Sequence, residues 1–530
     1  MKKQLSKYIA WVTVGMIGLN SCQTDFEKIN TDFRHPTEQD LVMDGLKVGG
    51  FYSSLQETIF PVGSSGTGYV NDYQIPYTLA GACWMGYMVP PQNKWVGKGF
   101  PSYALKAWSD YTLDVMYKRT FSSWLNLKEQ ADGDVEVEAL LNIIKVVSIH
   151  KATDTFGPIP YTNSSKENML QASYDSQEIV YRTMLKELDD AVQVLGKVNY
   201  SILPKFDIIY EGNVQKWVKL ANSMMLRLAM RTAYADEALA KEYAEKAISN
   251  PGGVMVSVDD VAQLSQGAGI VLKNPLTIIN GAYNDLRMGA EIYSYMVGYN
   301  DPRTVKYFKE AENDGDKGFF PVFKSLNKVD NYLDKAKFSV LNVEDATPVY
   351  IMKASEVAFL RAEGALRGWS MGGTAEEFYN KGIALSFAEN GLGDAAAKIY
   401  ADNGINVPAK FVDLSNSANN QEAVSDVTIK WTNDNFEKSL ERIITQKYIA
   451  LYPDGQEAWS EYRRTGYPHI FPAKFVRTDA EVSGVTGPTR IVYSNKEYTD
   501  NLDNIKKAVE MLGGPDNGNT RLWWDKKSNK

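Results

Sequence analysis

The 530-residue sequence is 44% hydrophobic and 23% charged, enough apolar material for a large core and far from the composition of a multi-span membrane protein or a disordered tail. Its formal charge of −8 argues against nucleic acid as a partner, because nucleic acid attracts basic surfaces, while 31 Tyr and 11 Trp suit stacking on a polar ligand. With only Cys22 and Cys83, and only His35, His150 and His469, the chain excludes a disulfide framework and leaves little for a cysteine- or histidine-built metal centre.

Lys2, Lys3 and Lys7 precede a mostly apolar run, Tyr8–Leu19, which has the form of a secretion signal and is short for a membrane span. The run ends at Leu19-Asn20-Ser21-Cys22, similar to a bacterial lipobox, in which cleavage precedes a cysteine that then carries lipid. The expectation is a signal peptide over 1–21 and a single domain over 22–530 tethered to a membrane by lipid on Cys22; an ordinary signal followed by a chance cysteine is the other reading. Removing 1–21 takes away three lysines and no acid, so the formal charge moves from −8 to −11.

From about residue 135 capped helices recur. Asp175 with Glu178 predicts a capping box, followed by a face of Ile179, Val180, Met184, Leu185, Leu188, Ala191, Val192 and Leu195. Asn213 predicts the cap of a helix with the stripe Trp217, Leu220, Ala221, Met224 and Leu228, and Asp236 opens another that closes at Asn250-Pro251-Gly252-Gly253. Thr347-Pro348 predicts a helix start, Thr374 with Glu377 and Asp434 with Glu437 predict two further boxes, and a short helix is expected near Glu457–Arg463. Residues 250–345 and 391–433, rich in Gly, Asn, Asp and Pro, predict loops, short helices and a few short strands. The expected fold is mainly α: a tetratricopeptide-like scaffold of helical pairs, right-handed, carrying long irregular loops.

Several stretches form a recognisable series along the chain. They are Lys151-Ala-Thr-Asp-Thr-Phe-Gly-Pro-Ile-Pro-Tyr161; Tyr174-Asp-Ser-Gln-Glu-Ile179 with Leu188-Asp-Asp-Ala191; Asp207 and Tyr210-Glu-Gly-Asn213; and Ala221-Asn-Ser-Met-Met-Leu-Arg-Leu-Ala-Met-Arg231. Ala354-Ser-Glu-Val-Ala-Phe-Leu-Arg-Ala-Glu-Gly364, Gln446-Lys-Tyr-Ile-Ala-Leu-Tyr452, Gly455-Gln-Glu-Ala-Trp459, Arg463-Arg-Thr-Gly-Tyr-Pro468 and Arg521-Leu-Trp-Trp-Asp525 continue the series. Taken in order, these stretches resemble the SusD/RagB family of nutrient-binding outer-membrane lipoproteins; the resemblance implies a SusD-like fold and a non-catalytic lipoprotein that binds an oligosaccharide or similar nutrient and hands it to a SusC-like TonB-dependent transporter. In physical terms Arg227, Arg231, Arg361, Arg463 and Arg464 sit on predicted helices, where pairing with acids would join neighbouring helix pairs.

No catalytic pattern stands out: there is no His-Glu-x-x-His, Gly-x-Ser-x-Gly, phosphate loop or dinucleotide fingerprint, and no cofactor is expected. Glu312-Asn313-Asp314-Gly315-Asp316 offers oxygens for calcium but lacks the full twelve-residue loop, so it reads as an exposed turn. A secreted glycan hydrolase, a peptide-binding lipoprotein and a protein-binding scaffold remain the alternatives.

Tyr69–Tyr111 holds ten aromatic residues and only five charged ones, with turn residues around Val89-Pro-Pro-Gln-Asn-Lys-Trp95-Val-Gly97. Sugar rings present an apolar C–H face and a polar rim, so rings flanked by amides suit them, as they do peptides. Trp84, Tyr87, Asn93 and Trp95 in this segment, with Tyr283, Asn284 and Arg287 from a second one that also carries Tyr293, Tyr295 and Tyr299, are the expected ligand contacts.

Overall fold

A computed structural model describes residues 46–62, 68–91, 95, 98–165, 171–266, 271–324, 335–414, 417–474, 482–483 and 487–528. The signal segment, Cys22 and Asn93 lie outside the described residues. The chain forms two compact units, 1–50 and 51–530, and everything below concerns the second.

The helices that matter here are α1 (Gly68–Tyr73), α2 (Ser109–Leu113), α3 (Arg119–Ala131), α4 (Val135–Phe156), α5 (Gln177–Leu195), α6 (Val214–Arg231), α7 (Glu237–Ser249), α8 (Pro275–Asn280), α9 (Ala290–Gly298), α10 (Ala354–Leu366), α11 (Ala375–Glu389), α12 (Asp394–Ala401), α13 (Phe436–Leu451) and α14 (Gly455–Thr465). From α3 to α7 each helix packs on the next, and α10 to α14 do the same through α10–α11, α11–α12, α10–α13 and α13–α14. Contact between α6 and α10 joins the two stacks, as expected of a helical-pair scaffold. The strands come in two-stranded antiparallel pieces: β1 (Met88–Val89) with β3 (Arg287–Met288), β2 (Ala262–Leu264) with β6 (Val349–Met352), and β4 (Ala311–Asn313) with β5 (Asp316–Gly318). Among the described residues no helix is long and apolar enough to cross a membrane.

Local chemistry accounts for most helix starts. Asn213 Oδ1 accepts from Lys216 N, Asp236 Oδ1 from Leu239 N, and Thr374 and Glu377 form the reciprocal box that their spacing predicts. Three starts differ from the sequence expectation. Ser176, not Asp175, caps α5, because Asp175 is taken by the backbone N–H groups of Tyr161 and Thr162. Asn435, not Asp434, caps α13, because Asp434 pairs with Arg442 at 2.8 Å. Thr347-Pro348 opens no helix: Val349–Met352 forms β6 against β2, and α10 begins only at Ala354. The expected face of α5 is buried except for Ile179, which is 48% exposed.

The stacks are bolted by a fully buried ionic cluster. Arg227 on α6 grips Glu356 on α10 at 2.5 and 2.8 Å, and Arg231, one turn on, reaches Glu457 on α14 at 2.6 Å, Glu461 on α14 and Asp154 on α4 at 3.3 Å. Arg464 spans Glu363 at 2.6 Å and Glu461 at 2.7 Å, and Lys447 on α13 lies 3.2 Å from Glu461. Burial acts to raise the Glu461 carboxyl, but Arg464, Lys447 and Arg231 together outweigh it and hold it well below the usual carboxylate range. Arg361 and Arg463 depart from the expected acid pairing. Arg361 donates to Met371 O at 2.7 Å, and Arg463 donates to Asp154 O and Thr489 O while lying on the Trp459 ring. Both satisfy carbonyls instead.

The first part of the aromatic segment is helical. Gln74–Ala82 is a wide π-type turn of helix kinked at Ala80, and it packs on α14. The approach needs glycine on both sides: a Cβ on Gly81 would stand 2.7 Å from Gly455 O. Glu312–Asp316 forms the β4–β5 hairpin turn, with Asp314 bonded to Lys337 at 2.8 Å.

Candidate functional site

Two segments 200 residues apart in sequence are sewn together by β1 and β3, with Met88 opposite Met288 and Val89 opposite Arg287. The seam continues through Gly289 N to Tyr87 O and Ile292 N to Gly86 O, both at 3.3 Å. Gly86 has φ +65°, and a Cβ on Gly289 would meet Gly86 O at 2.1 Å, so two glycines permit this close backbone contact. The two stretches singled out for their aromatic residues therefore share one place on the molecule.

Within them the rings divide into buried and half-exposed groups. Trp84 is 4% exposed, donates Nε1–H to Phe100 O at 2.9 Å and meets Trp459 edge-on at 4.7 Å. Tyr87 is fully buried, stacks on Tyr448 at 4.6 Å and donates its hydroxyl to Tyr448 O. Both fasten the aromatic segment to α13 and α14, so their rings are core rather than surface. Tyr295 and Tyr299 are buried too, with hydroxyls bonded to His469 O and Val427 O.

Trp95, Trp108 and Tyr283 are half-buried. The Trp95 ring stands edge-on to Trp108 at 5.1 Å, and its Nε1–H points to Asp285 Oδ2 at 3.2 Å. The turn after α8 places Tyr283, Asn284 and Asp285 in succession: Tyr283 N bonds Ile278 O, Asn284 N bonds Gly281 O and Asp285 N bonds Ile279 O. Tyr283 Oη reaches Asn71 Oδ1 at 3.5 Å, a long contact at the rim. Asn284 has φ +50°, a backbone state asparagine tolerates, and its Oδ1 accepts from Arg287 Nη2 at 2.6 Å. Because guanidinium only donates, that contact fixes which end of the Asn284 amide faces Arg287. Arg287 itself is buried, donates to Leu286 O, and is lowered from the usual arginine range by burial. It is a strut under Asn284.

Sequence reasoning missed the polar residues that tie these pieces to α1. Gln74 Nε2 donates to the same Asp285 Oδ2 at 2.9 Å, and Asp72 accepts from Tyr111 and, at 2.7 Å, from Arg119. Burial and the Asp72 carboxylate push the Tyr111 hydroxyl up to about 12, so it stays protonated as a donor at neutral pH. The missed residues carry ordinary types at unremarkable spacings, and only the composition around them gave a signal. Arranged this way, the patch has ring faces from Trp95, Trp108 and Tyr283 beside the amides of Asn71 and Asn284. Rings beside amides have the chemistry to suit a flat ligand with a polar edge. Elsewhere, a groove of about 500 Å³ lined by Val407, Asp426, Lys438, Glu441 and His469 has its lysine paired with Asp426 and Glu441. Among the described residues, no three His, Cys, Asp or Glu side chains are grouped to hold a metal ion.

Residues 28–525 match the family described as SusD-like, the Susd and RagB outer membrane lipoproteins. Among solved structures, the chain is similar to a chitin-binding SusD homologue from Flavobacterium johnsoniae, with 36% identity over 91% of this chain and 99% of that one and a TM-score of 0.85. SusD homologues from Bacteroides uniformis (35% identity, 91% and 99% covered, TM-score 0.82) and Bacteroides thetaiotaomicron (34%, 91% and 99%, 0.81) are similar throughout. No curated protein sequence matches it.

Proposed function

Because the chain belongs to the SusD/RagB family of outer-membrane lipoproteins, which bind ligand without catalysis, we propose that it captures an oligosaccharide at the cell surface and passes it to a SusC-like TonB-dependent transporter. The observation that carries this reading is the bond that ties half-buried Trp95 to Asp285, two residues after half-buried Tyr283, whose hydroxyl reaches Asn71. Trp95, Tyr283 and Asn284 make the contacts, Arg287 holds Asn284, and Asn93 lies two residues before Trp95 in the same segment. Trp84 and Tyr87 act through the packing that holds this segment in place. Chitin-type oligosaccharides are the first class to test, since a relative at 36% identity is described as chitin-binding.

The tether is the lipid on Cys22. One acyl chain holds a protein only marginally and two or three hold it stably, which suits a protein that must stay beside its transporter. Capture followed by release asks for moderate affinity, and a few rings with two or three hydrogen bonds supply that. Titration of the mature chain with chitin-derived, other glycan and peptide ligands tests the reading. Binding of a glycan that Trp95→Ala weakens supports it. Turnover of the ligand abolished by one carboxylate substitution, or binding indifferent to both Trp95→Ala and Tyr283→Ala, contradicts it.

A further inference from the structure

Asp285 is 0% exposed, yet one of its oxygens receives two side chains from the opposite segment: Gln74 Nε2 at 2.9 Å and Trp95 Nε1 at 3.2 Å. The two donors and the acceptor are about 200 residues apart in sequence and come from the two halves of the β1–β3 seam. An indole has a single N–H in a fixed direction in the ring plane, so anchoring that group sets the rotation of the whole ring. The near-perpendicular Trp108 ring at 5.1 Å and the bond from Ser102 Oγ to Trp95 O at 2.6 Å further restrain the same residue. A partly exposed ring without such anchors would sample several rotamers, and ordering it on binding would oppose affinity.

We propose that Asp285 is a positioning residue: its buried carboxylate locks the Trp95 ring so that the stacking face is ready before a sugar arrives. The inference rests on the ligand site proposed above and adds what sets the geometry of that site. A carboxylate suits the task because it accepts two N–H groups on one oxygen and makes the stronger, charge-assisted form of each bond. It touches no ligand and acts through Trp95, with Gln74 holding the acceptor in register.

The test uses the mature full-length chain carrying 15N-indole tryptophan, with the Trp95 signal identified by its loss in Trp95→Phe, and chitohexaose as the probe ligand. In Asp285→Leu, close in shape but without an acceptor, the Trp95 indole signal should shift and its N–H should exchange faster with solvent, while Trp217 and Trp524 in the core stay unchanged. Chitohexaose affinity should fall about tenfold, the loss associated with one hydrogen bond to a charged group. Adding Trp95→Phe, which keeps a ring but has no N–H, should then cause little further loss. Asp285→Asn, which keeps one acceptor oxygen, should retain the Trp95 signal near its normal position and most of the affinity, and it serves where Asp285→Leu does not fold. A Trp95 signal indifferent to Asp285→Leu, or strictly additive losses in the double variant, overturns the positioning role. A wild-type chain that binds no oligosaccharide overturns the ligand reading instead, and the indole signal alone then decides whether the clamp exists.

Discussion

Replacing Arg231 with methionine tests the ionic cluster that joins the helical stacks. The Arg231 side chain is fully buried and faces three acids, Glu457 at 2.6 Å, Glu461 and Asp154 at 3.3 Å. Methionine fills much of the volume, so the change removes charge more than packing. Glu461 keeps Arg464 and Lys447, but Glu457 is left with only distant cations, Lys447 at 3.8 Å and Arg227 at 3.9 Å, and Asp154 loses the cation that chiefly offsets its burial. Breaking one side of such a buried pair destabilises by about 3–5 kcal/mol, because the uncompensated charge cannot return to water. Arg182 is the internal control: it also meets two acids, Glu178 and Asp236, but is 45% exposed, so Arg182→Met should change stability by less than about 1 kcal/mol. Urea unfolding of both variants, followed by tryptophan fluorescence and near-ultraviolet circular dichroism, gives the comparison. Equal, small losses for the two variants would refute the assignment of the cluster as a principal bond between the stacks.

Other consequences are directly measurable. Cys83 is buried and its thiol is pushed up to about 12, so with Cys22 absent or lipidated a thiol reagent at pH 8 should label the native chain only at the rate of global opening and label it fully in denaturant; rapid native labelling would contradict this. Lys353 donates to Ala450 O and Tyr452 O in the core, and burial lowers it to about 8 from 10.5. The unfolded chain therefore binds the extra proton between pH 8 and 10.5, so stability relative to Lys353→Met should rise by roughly 3 kcal/mol across that window, and parallel stability curves would refute it. Cys22→Ala should release the protein from membranes and abolish labelling by a lipid precursor; retained labelling would sink the anchor.

What could be read from sequence was whatever neighbours in the chain decide. Asn213, Asp236 and the Thr374–Glu377 box cap helices through atoms within three residues, so their chemistry was visible at once. Where two adjacent residues were both competent caps, distant partners chose between them: Tyr161 and Thr162 claim Asp175, leaving Ser176, and Arg442 claims Asp434, leaving Asn435. Thr347-Pro348 misled for the same reason, since β6 owes its existence to β2 nearly ninety residues earlier. The aromatic density of Tyr69–Tyr111 marked a segment that the structure joins to the second aromatic stretch through β1 and β3. It did not separate Trp84 and Tyr87, buried by α13 and α14, from Trp95, because a ring pattern looks the same on either side of a surface. Asp285 had no signature at all: a single acid among 65 becomes meaningful only when Gln74 and Trp95 arrive at it in three dimensions.

Calorimetric titration of chitohexaose and a panel of other oligosaccharides into the mature chain and into Trp95→Ala, under identical conditions, addresses the central claim. The account predicts saturable binding of at least one glycan to the wild type, weakened about thirtyfold or more by Trp95→Ala, as expected when an anchoring ring of about 2 kcal/mol is removed, with the variant still folded by far-ultraviolet circular dichroism. Equal affinity in the two proteins for every glycan that binds would show that the ligand lies elsewhere and contradict the site described here.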